Sequence, residues 1–206
     1  MASDAVDADL DLELPRRKIM AIVGALMIGN IMAVIDTTIV SVALPTIAAE
    51  FGNLANQAWI VVGYMLASTA MVPIYGKLSD LYGRKPVYHG AITIFLVGSL
   101  ACGVSQEMWQ LIAARVVQGL GAGGLMVSAL AIVGEVVSPR QRGRYQAYFT
   151  MVGSAGIVAG PAVGGVLVDA LSWRWVFFIN LPIGLVALVV IGIVLEPTER
   201  RIEHRV

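Results

Sequence analysis

RRKIMAIVGALMIGNIMAVIDTTIVSVAL, residues 16–44, decides the fold. Three basic residues, Arg16, Arg17 and Lys18, precede 26 residues that hold a single ionisable group, Asp36. A helix crossing a bilayer needs roughly 20 apolar residues, so residues 19–44 suffice for one span. A cleaved signal peptide has an apolar region of only about 7–15 residues, and this run exceeds it. Five more apolar runs follow at 57–75, 87–104, 108–137, 145–171 and 176–195, joined by short polar connectors. Barrel strands would alternate over ~10-residue segments, and no such alternation is present. The expectation is an all-α integral membrane protein, a six-helix transmembrane bundle over residues 19–195. A solvated, disordered acidic leader (Asp4, Asp7, Asp9, Asp11, Glu13) occupies 1–18, and a short tail 196–206.

Composition agrees. Of 206 residues, 58% are hydrophobic and 14% charged, with mean hydropathy +0.80. Soluble domains carry about 25% charged residues, and a soluble chain this small buries only part of its surface. A soluble enzyme and a disordered chain are both excluded. Zero net charge leaves no basic footprint for nucleic acid. One cysteine, Cys102, forms no internal disulfide, and two histidines, His89 and His204, build no metal site. The lipid bilayer is the expected partner, and no cofactor is expected.

Basic residues concentrate in cytoplasmic loops. Arg16, Arg17 and Lys18 precede the first run. Lys77, Arg84 and Lys85 follow the second, Arg140, Arg142 and Arg144 the fourth, and Arg200, Arg201 and Arg205 the sixth. These are 12 of the 14 basic residues. Both termini are therefore expected in the cytoplasm, in an inner or plasma membrane.

Ionisable groups inside a span cost about 2.5–3.5 kcal/mol each on insertion scales and mark functional candidates. Asp36 in the first run and Arg115 in the fourth qualify. At a rise of about 1.5 Å per residue, Asp36 lies ~12 Å from Leu44 and Arg115 ~9 Å inside Trp109. Their depths match, so a salt bridge or shared cavity is expected, with Gln118 one turn from Arg115 beside it. Burial disfavours a carboxylate and a nearby guanidinium favours it; a carboxyl held between the two can take up and release a proton. A permanent buried pair that only fixes helix positions is the alternative. Glu135 is expected to pair with Arg140 at the membrane surface. Met27, Met32, Tyr64, Met65 and Met126 are candidates for an apolar cavity wall, since methionine adapts to many shapes.

Gly119-Leu120-Gly121-Ala122-Gly123-Gly124 formally matches a dinucleotide-binding pattern. That pattern requires a preceding strand, whereas here it lies in a long apolar run, so close helix packing is the better account. Gly156, Gly160 and Gly164 recur every four residues as a ridge, and Pro161 should kink it. Between the second and third runs, Gly76 to Lys85 reads as a turn, with Asp80 capping a helix start.

These pieces resemble the major facilitator superfamily. Gly76-x-x-x-Asp80-x-x-Gly83-Arg84-Lys85 looks like its signature loop, and Leu111-x-x-x-Arg115-x-x-Gln118-Gly119 resembles its fourth-helix motif. Gly156-x-x-x-Gly160-Pro161-x-x-Gly164-Gly165 is similar to the fifth-helix motif of drug–proton antiporters. The stretches from Asp36 to Pro45 and from Trp173 to Gly184 resemble the 14-helix branch. The resemblance implies an N-terminal six-helix half, with Asp36 and Arg115 in proton coupling. Gly156, Gly160, Pro161, Gly164 and Gly165 would form an antiporter hinge, and Gly76, Asp80, Gly83, Arg84 and Lys85 a cytoplasmic gate. Gln118, Met32, Tyr64 and Met126 would line the substrate cavity. The implied function is export of small amphipathic compounds or drugs, driven by the proton gradient. An exporter or importer of one metabolite and a non-transporting remnant remain alternatives. Family members have 12 or 14 helices, so a second six-helix half or a second copy of the chain is a candidate partner.

Overall fold

The computed structural model describes residues 15–52 and 54–194. The acidic leader and the tail with its three arginines lie outside the described residues. Helix α1 spans Arg16–Glu50, followed by a single 3-10 turn, Leu54–Asn56. Then come α2 (Gln57–Tyr82), α3 (Arg84–Gly103), α4 (Met108–Val136) and α5 (Arg142–Ala170). The last span is made of two pieces, α6 (Trp175–Phe178) and α7 (Asn180–Val194). All six expected spans are present and long enough to cross a membrane.

Three boundaries differ from the sequence reading, each for a packing reason. Helix α1 runs past Leu44 through Pro45 to Glu50. Proline forfeits one backbone bond, but Ile47 and Ala48 are fully buried beyond it and hold the helix. The expected turn from Gly76 to Lys85 is almost entirely helical. Tyr75 and Ser79, one turn apart, are both buried, so α2 continues to Tyr82. Gly83 alone breaks the helix, at φ +88°, a region that favours glycine. Asp80 therefore sits in the last turn of α2 and caps nothing; Gly83 is the residue preceding α3. The sixth span is interrupted at Ile179, because Pro182 cannot donate to the carbonyl of Phe178.

Helix α4 is the centre of the bundle and packs along α2 on one side and α3 on the other. Helix α1 packs against α5 and α7. Between apolar helices in lipid the attraction comes from close van der Waals fit and hydrogen bonds, and the glycines supply the fit. A Cβ on Gly119 or Gly123 would meet the backbone of Tyr64 or Ser68 on α2. One on Gly121 would meet the backbone of Ala91 and Phe95 on α3, and one on Gly124 would meet Ala91 on α3 and the Tyr75 ring on α2. The stretch from Gly119 to Gly124 is thus a two-sided contact within a helix.

The buried side chains fall into two apolar clusters. One, built on Ile22, Leu26, Tyr88, Phe95 and Ile132, fills the end where the basic residues sit. The other, built on Ile39, Ile47, Leu111, Trp173 and Phe177, fills the opposite end. Helices α2 and α5 are the least buried and display Met65, Leu66, Met151, Val158 and Val166 outward. Exposed apolar faces of this extent belong to lipid or to another bundle.

Candidate functional site

Between the two apolar clusters lies a layer of buried polar side chains. Asp36 on α1 is fully buried and Arg115 on α4 nearly so. Arg115 Nη1 donates to Asp36 Oδ2 at 2.6 Å and to Gln118 Oε1 at 2.7 Å. Its Nε donates to the carbonyl of Ile60 on α2 at 3.3 Å. The guanidinium lies over the Tyr64 ring, 4.0 Å from the centroid, with the Phe177 ring at 5.9 Å on another side. Gln118 Nε2 donates to Asp36 Oδ1 at 2.8 Å and to Ser99 Oγ at 3.3 Å. A buried charge pair needs further hydrogen bonds to its donors and acceptors, and here three other residues, Gln118, Ile60 and Asn180, supply them.

The backbone brings these groups together. Gly98 on α3 lies so close to α4 that a Cβ there would sit 2.5 Å from Gln118 Cα. That approach seats Ser99 and Cys102 against Gln118, where Cys102 Sγ donates to Oε1 at 3.6 Å. On α1, the Thr38 hydroxyl folds back onto the Val34 and Ile35 carbonyls, facing Gly160 of α5. The ridge of Gly156, Gly160 and Gly164 packs along Val34, Thr38 and Ile39, the residues flanking Asp36. Gly165 lies off this ridge and meets nothing, and α5 runs unbroken through Pro161.

Two members of the layer escaped the sequence reading. Asn180, at the start of α7, donates from Nδ2 to Asp36 Oδ1 at 2.8 Å and to Ser99 Oγ at 2.9 Å. Ser99 in turn donates to the Phe177 carbonyl at 2.9 Å. Asn180 carried a signal, a lone amide in an apolar run. Ser99 carried none, since a hydroxyl inside a helix is readily satisfied by its own backbone.

A cavity of about 580 Å³ opens beside the layer, between α1, α2 and α4. Tyr64 and Met126 line it, as expected, with Asn30, Thr37, Ser68 and Leu130. The other candidates do not. Met32 is fully buried in the apolar cluster, and Gln118 is enclosed behind Arg115. Met65 faces outward. Met27 lines a separate space of about 180 Å³ with Tyr145 and Tyr148. The Tyr64 ring is the wall between the cavity and the ion pair.

At the basic end, Arg84 Nε lies 2.5 Å from Glu135 Oε1, and Asp80 stands 4.0 Å from the same guanidinium. Glu135 thus pairs with α3 rather than with Arg140, because the helical extension of α2 swings Arg84 over the end of α4. Lys85 Nζ donates to the Gly192 carbonyl at 2.9 Å, fixing α3 to α7. Gly76 meets no neighbour. At the opposite end Glu50 accepts from Trp173 Nε1 at 2.6 Å and from Arg174 Nη1 at 2.8 Å. Arg174 also donates to the Ser105 carbonyl at 3.1 Å, so three connections are clasped together.

Six apolar spans, a buried charge layer and a cavity opening sideways define half of a membrane transporter. The chain belongs to the Major Facilitator Superfamily, whose sequence profile matches residues 26–205. It is 47% identical over 166 residues to an uncharacterized MFS-type transporter of Mycobacterium tuberculosis (strain H37Rv), covering 81% of this chain and 24% of that one. It is 40% identical over 184 residues to Multidrug resistance protein 3 of Bacillus subtilis (strain 168), covering 89% and 35%. A crystal structure of a D-xylose-proton symporter shares the fold, with TM-score 0.75 at 16% identity, over 87% of this chain and 49% of that one. The chain therefore spans a quarter to a third of these curated relatives and about half of the symporter.

Proposed function

We propose that this chain is the six-helix N-terminal half of a proton-coupled exporter of small amphipathic compounds. The observation that carries the reading is the buried Asp36–Arg115 pair, separated from a side-opening apolar cavity by one aromatic ring. An occupant of the cavity touches Tyr64, Tyr64 touches Arg115, and Arg115 holds Asp36. A change in cavity occupancy thus reaches the carboxylate through two contacts. Proton entry at Asp36 removes the charge that holds Arg115, which frees α1 to move relative to α4. Relatives named as a multidrug resistance protein and as efflux pumps favour export of several compounds over transport of one metabolite.

Alternating access requires a second bundle for this one to rock against, and the outward apolar faces of α2 and α5 suit one. Each proton carried inward contributes about 2.3 kcal/mol per 100 mV, which the pH gradient supplements. The basic end, with Lys77, Arg84, Lys85, Arg142 and Arg144, belongs in the cytoplasm of an inner or plasma membrane.

The test is dye efflux from proteoliposomes under an imposed pH gradient, with the mass of the detergent complex measured alongside. Wild-type protein should export dye only with the gradient, and Asp36→Asn should insert normally but lose that dependence. Normal gradient-driven efflux in Asp36→Asn would overturn the carrier role of Asp36.

A further inference from the structure

The carboxylate of Asp36 is surrounded by donors. Oδ2 takes Arg115 Nη1, and Oδ1 takes both Gln118 Nε2 and Asn180 Nδ2. This set satisfies the ionised form and offers no acceptor to the O–H of the neutral form. Among the described residues, four buried side-chain atoms lack a hydrogen-bond partner: Ser79 Oγ, His89 Nε2, Ser128 Oγ and Asn180 Oδ1. Only Asn180 belongs to a side chain bonded to Asp36. Gln118 cannot serve, because its Oε1 already holds Arg115 and Cys102.

We infer that Asn180 is a positioning residue that reports the protonation of Asp36, its amide turning over when the carboxyl takes a proton. The inference rests on the proposed role of Asp36 as a proton carrier. A proton from water forms the O–H at Asp36 Oδ1, and the Asn180 amide rotates so that its own Oδ1 accepts it. That oxygen then also faces Ser99 Oγ, which turns its hydroxyl from the Phe177 carbonyl to Asn180. The Phe177 carbonyl is released two residues before Ile179, where the sixth span breaks between α6 and α7. A proton bound on α1 thereby changes the hydrogen bonding of the interruption in α6–α7. The turned amide points its N–H groups to the side where Oδ1 now has no partner, so it is the less satisfied form and reverts when the proton leaves.

The titratable groups acting on Asp36 are few. Arg115 faces it from α4, Tyr64 from α2 and Cys102 from α3. Those of α5 (Arg142, Arg144, Tyr145, Tyr148, Asp169) lie near its two ends, and α6 and α7 carry none. The amide of Asn180 is thus the neutral group free to respond.

Infrared difference spectra of the protein in lipid bilayers, recorded as pH is stepped, test this. The Asp36 carboxyl band is identified by its loss in Asp36→Asn. The Asn180 amide band is identified by isotope-labelled asparagine in the wild type and by its loss in Asn180→Leu, a change that keeps the branched outline of the side chain. Both bands should change at the same pH. An Asp36 band that changes while the labelled amide band stays still would overturn the inference. If no band sensitive to Asp36→Asn appears at any pH, the carrier reading itself fails, which is a separate and recognisable result.

Discussion

Breaking the buried pair from its two sides should have unequal consequences. Arg115→Met leaves Asp36 as a carboxylate at zero exposure, held by only two amide N–H groups. Two unit charges about 4 Å apart attract by about 4 kcal/mol at an effective dielectric near 20. Stranding one partner of a buried pair costs about 3–5 kcal/mol. Asp36→Asn is milder. Arg115 keeps Gln118 Oε1, the Ile60 carbonyl and the Tyr64 face, the new amide oxygen still accepts from it, and the unpartnered Asn180 Oδ1 can turn to accept from the new amide N–H. The loss is then that of a charge-assisted bond made neutral, about 1–3 kcal/mol. The double variant removes both charges and should be more stable than Arg115→Met alone, with a coupling of about 2 kcal/mol or more. Unfolding free energies in lipid–detergent bicelles, measured by denaturant titration, give all four corners of the cycle. Lowering the pH adds a discriminating sign. A proton can neutralise the stranded Asp36, so Arg115→Met should regain stability as pH falls. Asp36→Asn should not, because a guanidinium stays charged. Losses that add to within about 0.5 kcal/mol, or an Arg115→Met deficit independent of pH, would refute the reasoning.

Two further outcomes follow from the packing. Gly98→Ala places a Cβ 2.5 Å from Gln118 Cα and should cost about 1–3 kcal/mol as overpacking. Gly24→Ala and Gly90→Ala, which meet nothing within 4 Å, should be neutral or gain up to about 1 kcal/mol from helix propensity; thermal unfolding in detergent separates the two groups. At the non-basic end, Trp173→Ala removes a side chain at 1% exposure together with its bond to Glu50. It should cost about 3–5 kcal/mol, while Glu50→Gln, half-exposed and facing Arg174, should cost no more than about 1 kcal/mol; equal losses in the same assay would show that the clasp is electrostatic rather than packed.

Span number and the pairing of Asp36 with Arg115 were legible in the sequence, because bilayer thickness sets a length scale and a charge in lipid needs a partner. The placement of Gln118 was half legible. Its distance from Arg115 along α4 was right, yet it proved to be a member of the charge layer and not of the cavity wall. The turn after Tyr75 was misread because glycines and charges look alike in a loop and at a helix end. Burial of Tyr75 and Ser79 against neighbouring helices decided the matter, and no local pattern records that burial. Glu135 was assigned to Arg140 by closeness in sequence, whereas the reach of Arg84 across helices prevailed.

By itself the sequence determined that the chain crosses a membrane six times, which residues cannot face lipid alone, and where helices can approach closely. These follow from transfer free energies and side-chain volumes that belong to each residue wherever it sits. Only the tertiary structure decided that Asn180 and Ser99 join Asp36, that Tyr64 separates the ion pair from the cavity, and that Met32 is packing. Those are relations between residues 28 to 144 positions apart along the chain, and their partners are chosen by helix crossings that no single helix encodes.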